Sequence, residues 1–120
     1  MAATRLATLE KRLRAHALAL PEAYEAFPWG ERVIKVAQKI FVFLNCDASG
    51  GLKVTVKLGP SSEEVLRLPF TQPTGYGLGK SGWVTASFTT GDAPPEGILC
   101  DWIADSYRLV APKRLAARLP

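Results

Sequence analysis

Leu52-Lys53-Val54-Thr55-Val56-Lys57-Leu58 alternates without a break, with four aliphatic side chains on one side and two lysines and a threonine on the other. A β-strand sends successive side chains to opposite faces, so this heptapeptide reads as a strand with one face in a core and one toward water. Such alternation belongs to antiparallel sheets covered on a single side. Upstream, residues 32–36 and 39–45 are β-branched and aromatic and read as two more strands, with Ala37-Gln38 as the turn between them. Asn45 to Gly51 supplies the next loop, and Trp83 to Thr89 reads as a further strand. Strands joined by turns this short must run antiparallel.

Helical signals flank the strands. Leu6, Leu9, Leu13, Ala17 and Leu20 recur at spacings of three and four, which predicts an amphipathic helix over 5–20 with Thr4 as its cap and Leu20-Pro21 as its stop. Residues 22–27 read as a short helical turn, and Phe27-Pro28-Trp29-Gly30 as a turn pinned to the core by its aromatics. Pro60 to Glu64 opens a short helix, with Ser61 and Glu64 spaced for a capping box and Pro69 beyond its end. Residues 70–82 form a turn-rich connection. A helix then begins at Asp92-Ala93-Pro94-Pro95, with Ile98, Leu99, Trp102, Ile103 and Leu109 expected on its inner side, and Lys113 to Leu119 reads as a short basic helix or a frayed tail after Pro112. The expected fold is α+β: a two-layer sandwich whose antiparallel sheet is covered on one face by the N- and C-terminal helices, with residues 1–120 as one domain.

Composition narrows the function classes. The chain has 120 residues, enough for one domain with one real core. Hydrophobic residues at 48% against charged residues at 22% exclude a disordered chain. The longest apolar run, Ile40 to Leu44, is far short of a membrane span, and no secretory leader is read at the N-terminus. Cys46 and Cys100 are far apart and neither belongs to a C-x-x-C pair, so reduced thiols and a cytoplasmic location are expected, with a lone bridge left open. With His16 as the one histidine, soft ligands are too few for a zinc site, and no metal or cofactor is expected. A net charge of +4 leans toward anionic partners.

Three candidate sites follow. Gly77-Leu78-Gly79-Lys80-Ser81-Gly82 matches G-x-G-x-x-G in letters, but phosphate cradles of that kind open a helix, whereas this run leads into the Trp83 strand. A flexible loop, with Lys80 able to touch a phosphate, is the reading. His16 reads as a surface histidine, and Asp101 with Asp105 as a solvated helix face, so no catalytic residue is expected. The third candidate is the sheet's open side. Lys53, Thr55 and Lys57 share one strand face, and Lys39, Phe41 and Phe43 alternate on the neighbouring strand. If both sets lie on one side, lysines are interleaved with rings, a surface that binds single-stranded nucleic acid. The competing arrangement puts Phe41 and Phe43 in the core.

Leu20-Pro21, Phe27-Pro28-Trp29-Gly30, Val33-x-Lys35-Val36 with Lys39-x-Phe41, Leu52 to Lys57, Tyr76 with Lys80-x-x-Trp83, and Asp105-Ser106-Tyr107-x-Leu109-Val110 together resemble the MmcQ/YjbR family, over roughly residues 20–115. The resemblance implies the fold called CyaY-like and a small bacterial cytoplasmic protein whose usual label is DNA-binding, with no catalytic residue. Lys39, Lys57, Lys80 and Trp83 match recurrent family positions. Val84 stands where many members have Asn, and Gly79, Ser81 and Gly82 replace bulkier polar residues. The frataxins, which share the fold, bind iron through an acidic first helix. Here residues 5–20 hold one acid, Glu10, against four bases, which disfavours iron.

The leading expectation is a non-enzymatic nucleic-acid-binding domain, with DNA as a weak, salt-sensitive partner. Its contact set is Lys39, Lys53, Lys57, Lys80, Phe41, Phe43 and Trp83. The alternative is a protein-interaction or small-ligand module with a groove beside Trp29, Trp83 and Trp102.

Overall fold

The alternating heptapeptide becomes β4 (Leu52–Lys57), an interior strand of a six-stranded antiparallel sheet ordered β1-β2-β3-β4-β6-β5. The structure, a computed structural model, describes residues 2–119 except 48 and 76, with side chains from residue 5 onward. The other strands are β1 (Tyr24–Ala26), β2 (Val33–Val36), β3 (Lys39–Cys46), β5 (Thr71–Pro73) and β6 (Trp83–Phe88). The helices are α1 (Ala2–Leu18), α2 (Ser62–Val65), α3 (Glu96–Val110) and α4 (Lys113–Ala116). α1 and α3 pack against each other and against β3 and β4 on one side, which is the α+β sandwich expected.

Apolar periodicity explains that layer. Leu6, Leu9, Leu13 and Ala17 of α1 are buried, and so is the α3 stripe Leu99, Trp102, Ile103, Ser106 and Tyr107. They meet Val42, Leu44, Leu52, Val54, Val56, Val84 and Ala86 from the covered sheet face. Ile98 and Leu109, expected inside, are 46% and 48% exposed because they sit roughly a quarter-turn to the sides of that stripe. Arg12 of α1 forks onto Glu96 at the start of α3, at 2.9–3.2 Å.

Two edge strands stand where the sequence predicts a helical turn and a turn-rich connection. Tyr24–Ala26 pairs with β2 and Thr71–Pro73 with β6, so the anticipated helical turn over 22–27 and plain connection over 70–82 are corrected to edge strands. Each has three residues, too few to show a period of two, and forms because a longer neighbour offers its free edge. Thr4 lies inside α1, which begins at Ala2, and so does not cap it. Ser61 and Glu64 make no capping box either. A 3-10 turn (Gly59–Ser61) precedes α2 and leaves Ser61 in helical dihedrals, whereas a capping residue needs extended backbone.

Ala37 and Gln38 turn the β2–β3 hairpin with φ of 50° and 67°. Positive φ at both positions is the type I′ geometry, which suits Asn-Gly and strains residues with a Cβ. Replacing Ala37→Asn and Gln38→Gly is expected to raise stability by about 1–2 kcal/mol, read as a higher urea midpoint at unchanged slope. An unchanged or lowered midpoint would contradict the turn assignment.

A β-bulge in β3 sets the two faces. Ile34 pairs with Val42 and Lys35 with Ile40, so Phe41 has no partner on β2. The extra residue reverses the alternation before it. Phe41 therefore joins Val42 in the core and meets Tyr107 edge-on at 5.3 Å, while Phe43 points to the opposite face. Ser106 of α3 ties the bulge down. Its hydroxyl donates to the Phe41 carbonyl at 2.5 Å and accepts from the Lys57 amide at 2.9 Å. Tyr107 donates to the Pro21 carbonyl at 2.6 Å, and burial, the main influence on its phenol, raises its pKa and keeps the donor protonated. Ser106→Ala leaves two backbone groups unpaired in a buried setting and is expected to cost about 2–4 kcal/mol by denaturant titration. A cost below about 1 kcal/mol would mean the hydroxyl is not the tie.

Candidate nucleic-acid interface

The register assigns each strand residue to a face, since directly opposed residues share one. Glu25 pairs with core-facing Ile34 and reaches Arg14 of α1, so it belongs to the helix side. The open side then carries Tyr24, Ala26, Val33, Lys35, Ile40, Phe43, Asn45, Lys53, Thr55, Lys57, Gln72, Trp83, Thr85 and Ser87. Three of these are lysines and none is a carboxylate. Glu25 and Glu10, the acid of the first helix, are absorbed on the covered side by Arg14 and Arg32. Arg32 lies 3.1 Å from Glu10 and 2.8 Å from Glu25.

A cleft of about 730 Å³ lies on this open side. Its floor is Phe43, Asn45, Lys53, Thr55 and Thr85. One wall is the loop bearing Trp29 and Glu31, and the other is formed by Gln72, Thr74, Gly75 and Leu78. The Asn45 amide holds the first wall by accepting from the Arg32 amide at 2.8 Å and donating to the Arg32 carbonyl at 3.3 Å. Trp29 is 73% exposed on that rim, and Arg32 covers the neighbouring Phe27 ring at 5.4 Å. Thr55, Thr85 and Thr74 form a chain of hydroxyls with 3.0 Å between successive oxygens.

The expected contact set divides. Lys53, Lys57, Phe43 and Trp83 share the open face, and Phe43 meets Trp83 edge-on at 5.9 Å. Lys80 is exposed in a 3-10 turn (Leu78–Ser81) behind the far wall. Phe41 is corrected to a core residue with no exposed surface, so it cannot stack on a base. Lys39 pairs with core-facing Val36 and sits on the helix side of the hairpin, apart from the other lysines. The bulge causes both changes. Of the three tryptophans expected beside one groove, Trp29 lines the cleft, Trp83 lies on the same sheet face against Phe43 but outside that lining, and Trp102 is 8% exposed in the helix layer beside Phe70. Thr85 was missed, although Trp83-Val84-Thr85-Ala86-Ser87-Phe88 alternates like β4 and lies in register with it. Trp29, Gln72 and Thr74 reach the cleft from a loop, an edge strand and a turn that carry no periodic signal.

The YjbR family model matches residues 18–109. The chain belongs to the YjbR family. No curated protein matches it. Among solved structures it is similar to Deinococcus radiodurans protein DR2400, described by the domain DUF419, at a TM-score of 0.68 and 27% identity. That alignment covers 82% of this chain and 75% of the other. The motifs that resemble the YjbR family divide by face. Leu20-Pro21 and Ser106-Tyr107 clamp the core beneath the bulge, whereas Trp29, the Leu52–Lys57 strand and Trp83 build the open side. Tyr76 lies outside the described residues.

The remaining polar groups of this YjbR-family chain take lesser roles. Among the described residues no three His, Cys, Asp or Glu side chains come together as a metal cage, and no helix is long and apolar enough to cross a membrane. Cys46 and Cys100 are free rather than bridged. Burial first, then Glu10 and Asp47, raises the Cys46 thiol pKa, and burial first, then Glu96 and Asp101, raises that of Cys100. Both are consequently poor nucleophiles near neutral pH. His16 is half-buried rather than on the surface as expected. The glycine run ends in a strand, and Gly82 serves backbone packing there instead of a phosphate.

Proposed function

We propose that this YjbR-family chain is a non-enzymatic cytoplasmic domain that binds DNA through the open face of its sheet. One observation carries the reading: the open face has Lys35, Lys53 and Lys57 among its strand positions, no carboxylate there, the Phe43 ring on the strand between them, and the Trp83 ring opposite Lys57. Lysines draw a polyanion by releasing its counterions, and flat rings accept bases of any sequence. The rings favour an unpaired strand over a duplex, because stacked and paired bases offer a sheet no free faces. Affinity on these terms is modest and strongly salt-dependent.

The cleft favours a second reading, a small-ligand module with Trp29 on its rim and Phe43 on its floor. Fluorescence anisotropy of labelled single-stranded and duplex DNA separates the two when run from about 50 to 200 mM salt. DNA binding predicts saturable association that is tighter for the single strand and weakens linearly in the logarithm of salt. Absence of saturable binding at the lowest salt overturns it.

A further inference from the structure

We propose that the cleft on the open face is a pocket for a single nucleobase, taking one unstacked base of the bound strand. This inference rests on the nucleic-acid reading and specifies which part of the polymer enters. Its volume, about 730 Å³, lies within the roughly 300–1,000 Å³ of small-molecule sites and suits one nucleotide unit better than a run of stacked bases.

The floor is built for a polar, planar edge. Thr55 and Thr85 are each 8% exposed, and their hydroxyls are linked to each other and onward to Thr74. Three hydroxyls contain three O–H donors, and two contacts within the chain use two of them. One donor is therefore always left over, together with unused lone pairs. Rotation of the hydroxyls moves the spare donor from one end of the chain to the other. The chain can thus meet either a carbonyl or a ring nitrogen as acceptor, or receive an amino group, which are the groups on base edges. An apolar ligand would leave this donor buried without a partner, a costly outcome.

The walls supply the remaining features. Trp29 on the rim and Phe43 on the floor give the cleft aromatic faces. Lys53 borders it, and Lys57 follows four residues along the same strand face, about 13 Å farther on. Thr55 lies midway between them. A strand laid along β4 accordingly has cations for phosphates on either side of the hydroxyls that receive the base. Glu31, the carboxylate on the cleft wall, stands on the Trp29 side and turns phosphates away from that rim.

Anisotropy titrations with three oligonucleotides of equal length test this: a single strand with bases, the same strand with abasic sites throughout, and a duplex. The base-bearing strand is expected to bind at least about tenfold more tightly than the abasic one. Replacing Thr55, Thr74 and Thr85 together by Val, which removes every hydroxyl of the chain at nearly constant shape, and separately Trp29→Ala, on an exposed rim, are expected to lower affinity for the base-bearing strand to that for the abasic one. Thermal melts confirm that both variants fold. Equal binding of base-bearing and abasic strands overturns the pocket and leaves phosphate-based binding standing. Equal or tighter binding of the duplex overturns the pocket as well, because paired bases cannot enter it. No saturable binding of any oligonucleotide overturns both readings.

Discussion

Reversing charge at Lys53 and Lys57 together is expected to lower affinity for single-stranded DNA by about two orders of magnitude and to flatten its salt dependence. Both side chains belong to the open face of β4, Lys53 exposed and Lys57 half-buried opposite Trp83. Each phosphate contact on a single strand contributes about 0.7 to the slope of log affinity against log salt. Losing two contacts therefore removes about 1.4 from that slope, and the glutamates add repulsion. Lys39→Glu changes net charge as Lys53→Glu does, but sits on the helix side of the hairpin. It is expected to alter affinity less than about threefold, since exposed charges beyond a Debye length are screened. Equal losses in the two single variants would mean that overall charge, rather than the open face, governs binding.

Gly82→Ala is expected to abolish cooperative folding or to cost at least about 4 kcal/mol, which is most of a small domain's margin. Gly82 has φ of +84°, which strains a residue with a Cβ by about 1–2 kcal/mol. A Cβ there would lie 2.4 Å from Gly59 Cα and 2.5 Å from Gly59 N, both backbone atoms that no rotamer change can move. Separating the segments would also break the hydrogen bonds that the Leu58 and Gly59 amides donate to the Gly82 carbonyl, at 2.8 and 3.2 Å. Gly77, in the same run, provides the control. Its φ is +79°, but nothing lies within 4 Å of a Cβ built on it. Gly77→Ala should cost only the conformational strain of about 1–2 kcal/mol in chemical denaturation. Comparable losses at the two glycines would show that the close approach of Gly59 and Gly82 is not what constrains the run.

The sheet's centre was legible because Leu52 to Lys57 alternates and one face of it must be dry. The helix stripe from Leu6 to Ala17 was legible for the same reason. The face of β3 was not legible. Ile40 to Leu44 is apolar throughout, so its pattern cannot reveal where the period slips, and the bulge at Phe41 sends two expected neighbours to opposite layers. The cleft was half legible. Lys53, Thr55 and Phe43 come from long strands, while Trp29, Gln72 and Thr74 arrive from short or irregular segments placed by tertiary packing. The buried hydroxyl chain depends on register between β4 and β6, which are separated in sequence by a short helix and an edge strand. Local pattern does not encode that register.

Amide chemical-shift mapping of this 120-residue chain with a short single-stranded DNA tests the central claim most directly. The account predicts shifts concentrated at Phe43, Lys53, Thr55, Lys57, Trp83 and Thr85 and at the Trp29 indole, with α1 and α3 unmoved. Shifts centred on the basic residues of α1 or on α4, with the open face silent, would contradict it.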